Sequence, residues 1–339
     1  MRSFFHPFQD RHVPKSYLNR GKMRQPQELP ERTGYILEAL EELGQEVEEP
    51  KDRGMAPIAK VHHPGYLRFL ESAHRRWTAG PDDWGEEVIS NIYSRSPSPL
   101  RSLIGEAAFY QADGSCPIGE GTWEAAYWSA QTALAAGDAI RRGERLAYGL
   151  CRPPGHHARP DAAGGFCYLN NAAIAAEALT PDFPRIAILD PDMHHGQGIQ
   201  EVFYERDDVF YVSVHGDPGN FYPVVSGYED ERGAGAGHGY NLNMPMPHGS
   251  SEEYFLGRID EAMRAVSLFA PDLLIVTLGF DIYEGDPQAK VSVSSKGFAR
   301  MAERFADSGT PLLVIQEGGY DLESLGENTR QFFSTLLRS

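Results

Sequence analysis

Apolar residues in this chain fall into short runs. AYGLC (147–151), RIAILD (185–190), VFYVSVH (209–215), DLLIVTLGF (272–280) and PLLVIQ (311–316) are each too short for a helix and largely apolar, as strands buried on both faces should be. Helical patterns lie between several of them. TWEAAYWSAQTALAAGDAIRRG (122–143) and YLNNAAIAAEAL (168–179) are rich in Ala and Leu. SEEYFLGRIDEAMRAVSLFA (251–270) opens with Ser and two Glu, a helix-start signal, and SSKGFARMAERFAD (294–307) precedes the last strand. The alternation predicts an α/β fold: a single-domain, mainly parallel β-sheet with helices on both faces.

In such sheets, ligands bind outside the carboxyl ends of the strands. The polar stretches follow that rule. RPPGHHA, DPDMHHGQG, HGDPGNFYP, FDIYEGDP and EGGYD each follow an apolar run. Residues 79–121 break the rhythm, with weak periodicity and several Pro and Gly. A long stretch of this kind without regular structure is usually functional or disordered, and its aromatics suggest order at an interface or over a site.

Composition narrows the function. Of 339 residues, 41% are apolar and 23% charged, an ordinary globular balance, and the net charge is −17. Such a surface repels nucleic acid and anionic membrane and favours cationic partners. Cys116, Cys151 and Cys167 cannot all pair and form no C-x-x-C, which suits a reducing compartment. No run approaches ~18 apolar residues and the N-terminus carries no signal-like segment, so a cytoplasmic location is expected.

The crowded DPDMHHGQG segment carries the sharpest chemistry. In extended chain Asp190, Asp192 and His194 share one face and His195 the other. A carboxylate and an imidazole two residues apart can reach one divalent cation, and a catalytic zinc takes three protein ligands. Asp281, after a fully apolar strand, is the natural third. The plainer alternative is that these groups only hydrogen-bond a buried strand end. Beside a metal, His156 and His157 become candidate acid/base groups. Tyr320 becomes a candidate donor to a developing oxyanion. GAGAGHGY (233–240) opens no helix after a strand, so it does not read as a dinucleotide site.

PPGHHA, GGFCYLNNAA, ILDPDMHHGQG, GFDIYEGDP and EGGY occur in an order and spacing that resemble the zinc-dependent histone deacetylase superfamily, over roughly residues 145–325. KVHHPGYLRFLE, PIGEGTWEAA and the 79–121 segment look like its bacterial acetylpolyamine amidohydrolase branch. The resemblance implies an arginase/deacetylase-like fold and one catalytic domain over 1–339. It also implies an inserted loop at about 79–121 that narrows the entrance and joins a homodimer. It implies Zn2+, or Fe2+ in the cell, on Asp192, His194 and Asp281. It makes Asp190 the partner of His156, His157 the general base and then acid, and Tyr320 the carbonyl-polarising group. Phe166 and Tyr222 would wall a tunnel, with the Gly165 backbone facing the scissile amide. Structural K+ would lie at Asp190, Asp192, His194, Ser213 and Val214, and a second ion at Phe203, Arg206, Val209 and Tyr240.

The implied reaction is deacetylation of acetylated polyamines or similar small cationic amides; the nearest alternative is acetyl-lysine in proteins. Three positions depart from the family pattern. Gln197 stands where many relatives have Asn or Asp, Pro191 stands between the two acids, and Gln288 stands where a polyamine-selective relative has Glu. The last leaves the reader of a distal ammonium open among Glu106, Asp113, Glu120 and Glu284. A binuclear manganese ureohydrolase would need a second Asp where Tyr283 stands. A non-catalytic acetyl-binding module would be marked by a lost ligand or tyrosine, and all are present.

Overall fold

A computed structural model of the chain describes residues 1–81, 84–94 and 100–338. The strands among them are β1 (Arg2–Phe4), β2 (Tyr17–Asn19), β3 (Lys22–Arg24), β4 (Val47–Glu48), β5 (Leu146–Gly149), β6 (Ile186–Asp190), β7 (Val209–Gly216), β8 (Asn241–Met246), β9 (Ser250–Ser251), β10 (Leu273–Leu278), β11 (Val291–Ser292) and β12 (Leu312–Gln316). The α-helices are α1 (Glu31–Glu42), α2 (Pro64–Thr78), α3 (Leu103–Tyr110), α4 (Thr122–Arg141), α5 (Asn171–Leu179), α6 (Gln197–Phe203), α7 (Glu252–Phe269), α8 (Ser295–Ala306) and α9 (Leu322–Leu336).

Eight strands form one sheet in the order β4-β1-β5-β12-β10-β6-β7-β8. Every neighbouring pair in it is parallel. The five apolar runs are its five adjacent central strands. Their side chains alternate between two cores. Ala147, Ile186, Ile188, Leu273, Ile275, Leu313 and Ile315 pack under α2, α4 and α5. Tyr148, Ala187, Leu189, Leu274, Val276, Leu312 and Val314 pack against α1, α7, α8 and α9. Burial on both faces is why these strands read as unbroken apolar runs.

The four helices expected from sequence are present, with ends set by side-chain caps. The 168–179 pattern starts as helix only at Asn171, because the Asn170 carboxamide accepts from the Ala173 amide at 3.0 Å. Ser251 and Ser294 cap α7 and α8 in the same way. The edge strands β4 and β8, and β1 beside β4, were not readable. Two are very short, and β8 runs NLNMPM, where Asn and Pro break the apolar pattern.

Residues 79–121 are more regular than expected, since α3 lies within them and packs on α2. Residues 82–83 and 95–99 of that segment lie outside the described residues. All three cysteines are buried and free. Among the described residues, no helix is long and apolar enough to cross a membrane.

Ile188 is fully buried at the centre of β6. Ile188→Ala should lower unfolding stability by about 2–5 kcal/mol, read as a lower urea midpoint at unchanged slope.

Candidate active site

The carboxyl ends of β6, β10 and β12 lie side by side and aim three polar segments at one place. After Asp190 the chain leaves extended conformation. Asp192 Oδ1 accepts from the His194 amide at 2.9 Å, closing a tight turn. Asp190 turns to His156 rather than to the other two, and alternation of faces does not hold past the strand end. Asp192 and His194 converge on Asp281, and His195 points away. His195 Nε2 lies 3.1 Å from Gln200 Oε1 and 3.2 Å from Asn243 Oδ1, and burial first, then His215, holds its pKa well below normal.

Asp192, His194 and Asp281 are buried, with one donor atom of each within 4.8 Å of the others. His194 Nδ1 lies 2.9 Å from Asp281 Oδ2 and 3.3 Å from Asp192 Oδ1. Burial raises the pKa of Asp281, and the nearby Asp192 raises it further. Burial also acts against the Asp192 carboxylate, but the His156 and His194 imidazoles outweigh it and hold its pKa below normal. Two like charges pressed together in a buried pocket fit a divalent cation. The backbone makes room for them. A Cβ at Gly279 would come within 2.1 Å of Asp192 Oδ2. His156, Cys167 and Glu317 also cluster within 4.8 Å. There, burial keeps the thiol protonated and raises the Glu317 pKa to about 7, and Glu317 Oε2 already accepts the Gly155 and His156 amides at 2.6 and 3.0 Å.

The two histidines of RPPGHHA stand beside the three donors with different partners. His156 Nδ1 meets Asp190 Oδ2 at 3.1 Å, and that oxygen also accepts from the Tyr211 hydroxyl at 2.8 Å. His157 Nδ1 meets Gln197 Oε1 at 2.7 Å. Burial, then His156 and His194, push the His157 pKa well down, so its ring is neutral. Gln197 reaches it because Gly198 lets the start of α6 press on the histidine segment. A Cβ there would meet Ala158 O at 2.2 Å.

The wall residues gather at the same end. Gly165 and Phe166 both have positive φ, 54° and 67°. A Cβ on Gly165 would lie 2.3 Å from His157 Cδ2 and 2.7 Å from Tyr222 Cε1. Tyr222 packs edge-on to His157 with ring centres 4.7 Å apart. Phe166 packs edge-on to Tyr320 at 5.8 Å and to Tyr17 at 5.2 Å. Burial first, then the Asp281 charge, raises the Tyr320 pKa, so its proton stays on.

Several residues near the site carried no sequence signal of their own. Asp286 Oδ2 accepts the Tyr320 and Asp321 amides at 2.6 and 3.0 Å. Arg32 donates to Gly319 O at 2.6 Å and to Glu317 O at 2.7 Å, and is held by Glu28 at 2.8 Å. These side chains fix the EGGY turn. Their only sequence cue was an acid inside GDP and charges in an otherwise unremarkable helix start.

Of the positions implied for monovalent cations, Asp190 and Ser213 are register partners in β6 and β7, with Val214 next along the strand. Phe203, Arg206, Val209 and Tyr240 surround the α6–β7 connection. There Phe203 O accepts from the Arg206 amide and Tyr240 O from the Tyr211 amide, each at 3.0 Å. Among the four acids considered for a distal ammonium, Glu106 pairs with Arg76 at 2.6 Å. Glu120 and Glu284 are exposed. Asp113 Oδ2 accepts from the Tyr222 hydroxyl at 2.6 Å.

Five strand-end motifs converging on one metal-type site define a metal-dependent deacetylase, and a family model described as histone deacetylase domain matches residues 26–336. The chain belongs to the histone deacetylase family. It is 59% identical over 333 residues to an acetylpolyamine amidohydrolase of Burkholderia pseudomallei, covering 98% of each chain. It is 44% identical over 325 residues to acetylpolyamine amidohydrolase 1 of Pseudomonas aeruginosa, covering 94% of this chain and 93% of that one. The crystal structure of the acetylpolyamine aminohydrolase from Burkholderia pseudomallei superposes with a TM-score of 0.98 at 58% identity, covering 99% of this chain and 98% of that one.

Gly279→Ala should drive a methyl group into Asp192. We expect loss of tight divalent-metal binding, measured as metal content after dialysis, with far-UV circular dichroism unchanged.

Proposed function

We propose that the chain is a zinc-dependent amidohydrolase that removes acetyl groups from acetylated polyamines or similar small cationic amides, releasing acetate and the free amine. The observation that carries this reading is the buried Asp192–His194–Asp281 set with two histidines and Tyr320 around it. The names of its close relatives, acetylpolyamine amidohydrolases, support a small acetylated amine over acetyl-lysine in a protein. The net charge of −17 favours a cationic substrate.

Zinc, or iron in the cell, held by these three residues supplies Lewis acidity, easing water deprotonation and polarising the acetyl carbonyl. The protein's own groups do the rest. Neutral His157 takes a proton from the attacking water at Nε2 and returns it to the leaving nitrogen as the C–N bond breaks. His156, whose ring is paired with Asp190, contributes positive charge beside the reacting carbon. The Tyr320 hydroxyl donates to the oxyanion as it develops. Phe166, Tyr222 and the Gly165 backbone form the slot that excludes bulk water and holds the acetamide. We extend the proposal to structural K+ at the two positions named above, a homodimer involving the 79–121 segment, a single catalytic domain over 1–339, and a cytoplasmic location without nucleic-acid or membrane partners.

The zinc-loaded protein should show much higher kcat/KM for an acetylated diamine than for an acetyl-lysine peptide. Preference for the peptide would overturn the substrate assignment. Chelation should abolish turnover and added zinc restore it. Tyr320→Phe should lower kcat by about 10²–10³-fold at unchanged metal content, and full activity in that metal-loaded variant would remove Tyr320 from the chemistry.

A further inference from the structure

Behind His157 stands an amide, Gln197, rather than a carboxylate, and an amide is ambivalent. Its carbonyl oxygen can accept from an imidazole N–H, or its NH₂ can donate to an imidazole nitrogen. The two arrangements select opposite tautomers of the base. Only the tautomer with the proton on Nδ1 leaves Nε2 free to take a proton.

A chain of hydrogen bonds resolves the choice. The Tyr222 hydroxyl donates to Asp113 Oδ2 at 2.6 Å. Gln197 Nε2 donates to the Tyr222 oxygen at 3.3 Å, and Gln197 Oε1 faces His157 Nδ1 at 2.7 Å. An ionised carboxylate can only accept. The Tyr222 proton therefore points at Asp113, in a short charge-assisted bond. Its oxygen is left as an acceptor toward Gln197, so the amide must turn its NH₂ to Tyr222 and its carbonyl to His157. The carbonyl requires a proton on Nδ1.

We propose that Asp113 is a positioning residue for the general base, fixing the His157 tautomer through Tyr222 and Gln197. The inference rests on the amidohydrolase reading above and deepens it. Asp113 is also clamped by other donors. Oδ2 accepts the Gly165 amide at 3.2 Å, and Oδ1 accepts the Ser115 amide at 2.8 Å and the Ser115 hydroxyl. Four donors occupy the carboxylate, so it is committed to the wall and not free for a distal ammonium. The same residue thus ties the Gly165–Phe166 turn to Tyr222 and sets the polarity of the chain behind the base.

The test is a double-mutant cycle of Asp113→Asn and Gln197→Glu, read by kinetics on an acetylated diamine and by ¹⁵N chemical shifts of the His157 ring. A carboxylate at position 197 can only accept, so it requires the proton on His157 Nδ1 whatever Tyr222 does and needs no relay. Asp113→Asn alone should lower kcat by about a hundredfold with little change in KM, and should move the ring away from the Nδ1–H tautomer. In the Gln197→Glu background the same substitution should cost about threefold or less and leave the Nδ1–H signature in place. An equal loss of kcat in both backgrounds, or an unchanged tautomer in Asp113→Asn, would overturn the relay, because a role limited to holding the loop is indifferent to residue 197. Absence of turnover by the wild-type protein on any acetylated amine would overturn the amidohydrolase reading instead, and the ring shifts would still decide the relay.

Discussion

Two buried carboxylates within reach of the same imidazole nitrogen are the constraint around which this site is organised. Asp192 and Asp281 are both nearly inaccessible to water, and placing like charges together in a low-dielectric pocket is costly unless positive charge and N–H donors come with them. The strand ends meet that need. The Met193 amide donates to Asp281 at 3.0 Å, and the His194 and Gly318 amides to Asp192 at 2.9 and 3.1 Å. His156 supplies positive charge beside them, while His194 can offer a nitrogen to a cation only as the neutral ring. The remaining deficit is what makes the pocket a place for a cation and, with it, for hydrolysis.

The central sheet was readable because burial on both faces leaves nothing polar in those strands. The site's principal residues were readable because each follows such a strand within a few positions. The rule that parallel sheets carry their ligands at strand carboxyl ends pointed to the stretches holding His156, Asp192, His194, Asp281 and Tyr320; their individual roles came from the family resemblance. The face argument for Asp190 failed locally, since a strand's alternation stops where its hydrogen bonding stops, and Asp190 turned instead to His156.

What sequence hid was the layer behind these residues. Asp286, Arg32 and Glu317 act by holding backbone atoms of the turns, with Glu28 holding Arg32 in turn, and a side chain that binds backbone leaves no spacing pattern. Asp113 is the clearest case. It sits between α3 and α4, far along the chain from both Tyr222 and Gln197, and as a sequence feature it was one of four unremarkable acids. Only the fold shows that Glu106 pairs with Arg76, that Glu120 and Glu284 are exposed, and that this one holds the Tyr222 hydroxyl. Such outer partners orient the groups that react, and their loss is commonly felt as strongly as the loss of a ligand.

The order of the sheet has a consequence for how the molecule comes into being. β5 and β6 are consecutive central strands in the chain, yet β12 and β10 lie between them. A chain growing from its N-terminus has both strands in hand by residue 190, but the strands that fill the gap begin at 273 and 312. Until β10 arrives β6 presents an unpaired, largely apolar edge, and until β12 arrives β5 does the same. Exposed edges of that kind invite pairing with other chains. Synthesis of this protein therefore passes through a long interval of aggregation risk, in which shelter by a chaperone matters more than for a fold whose neighbouring strands follow one another.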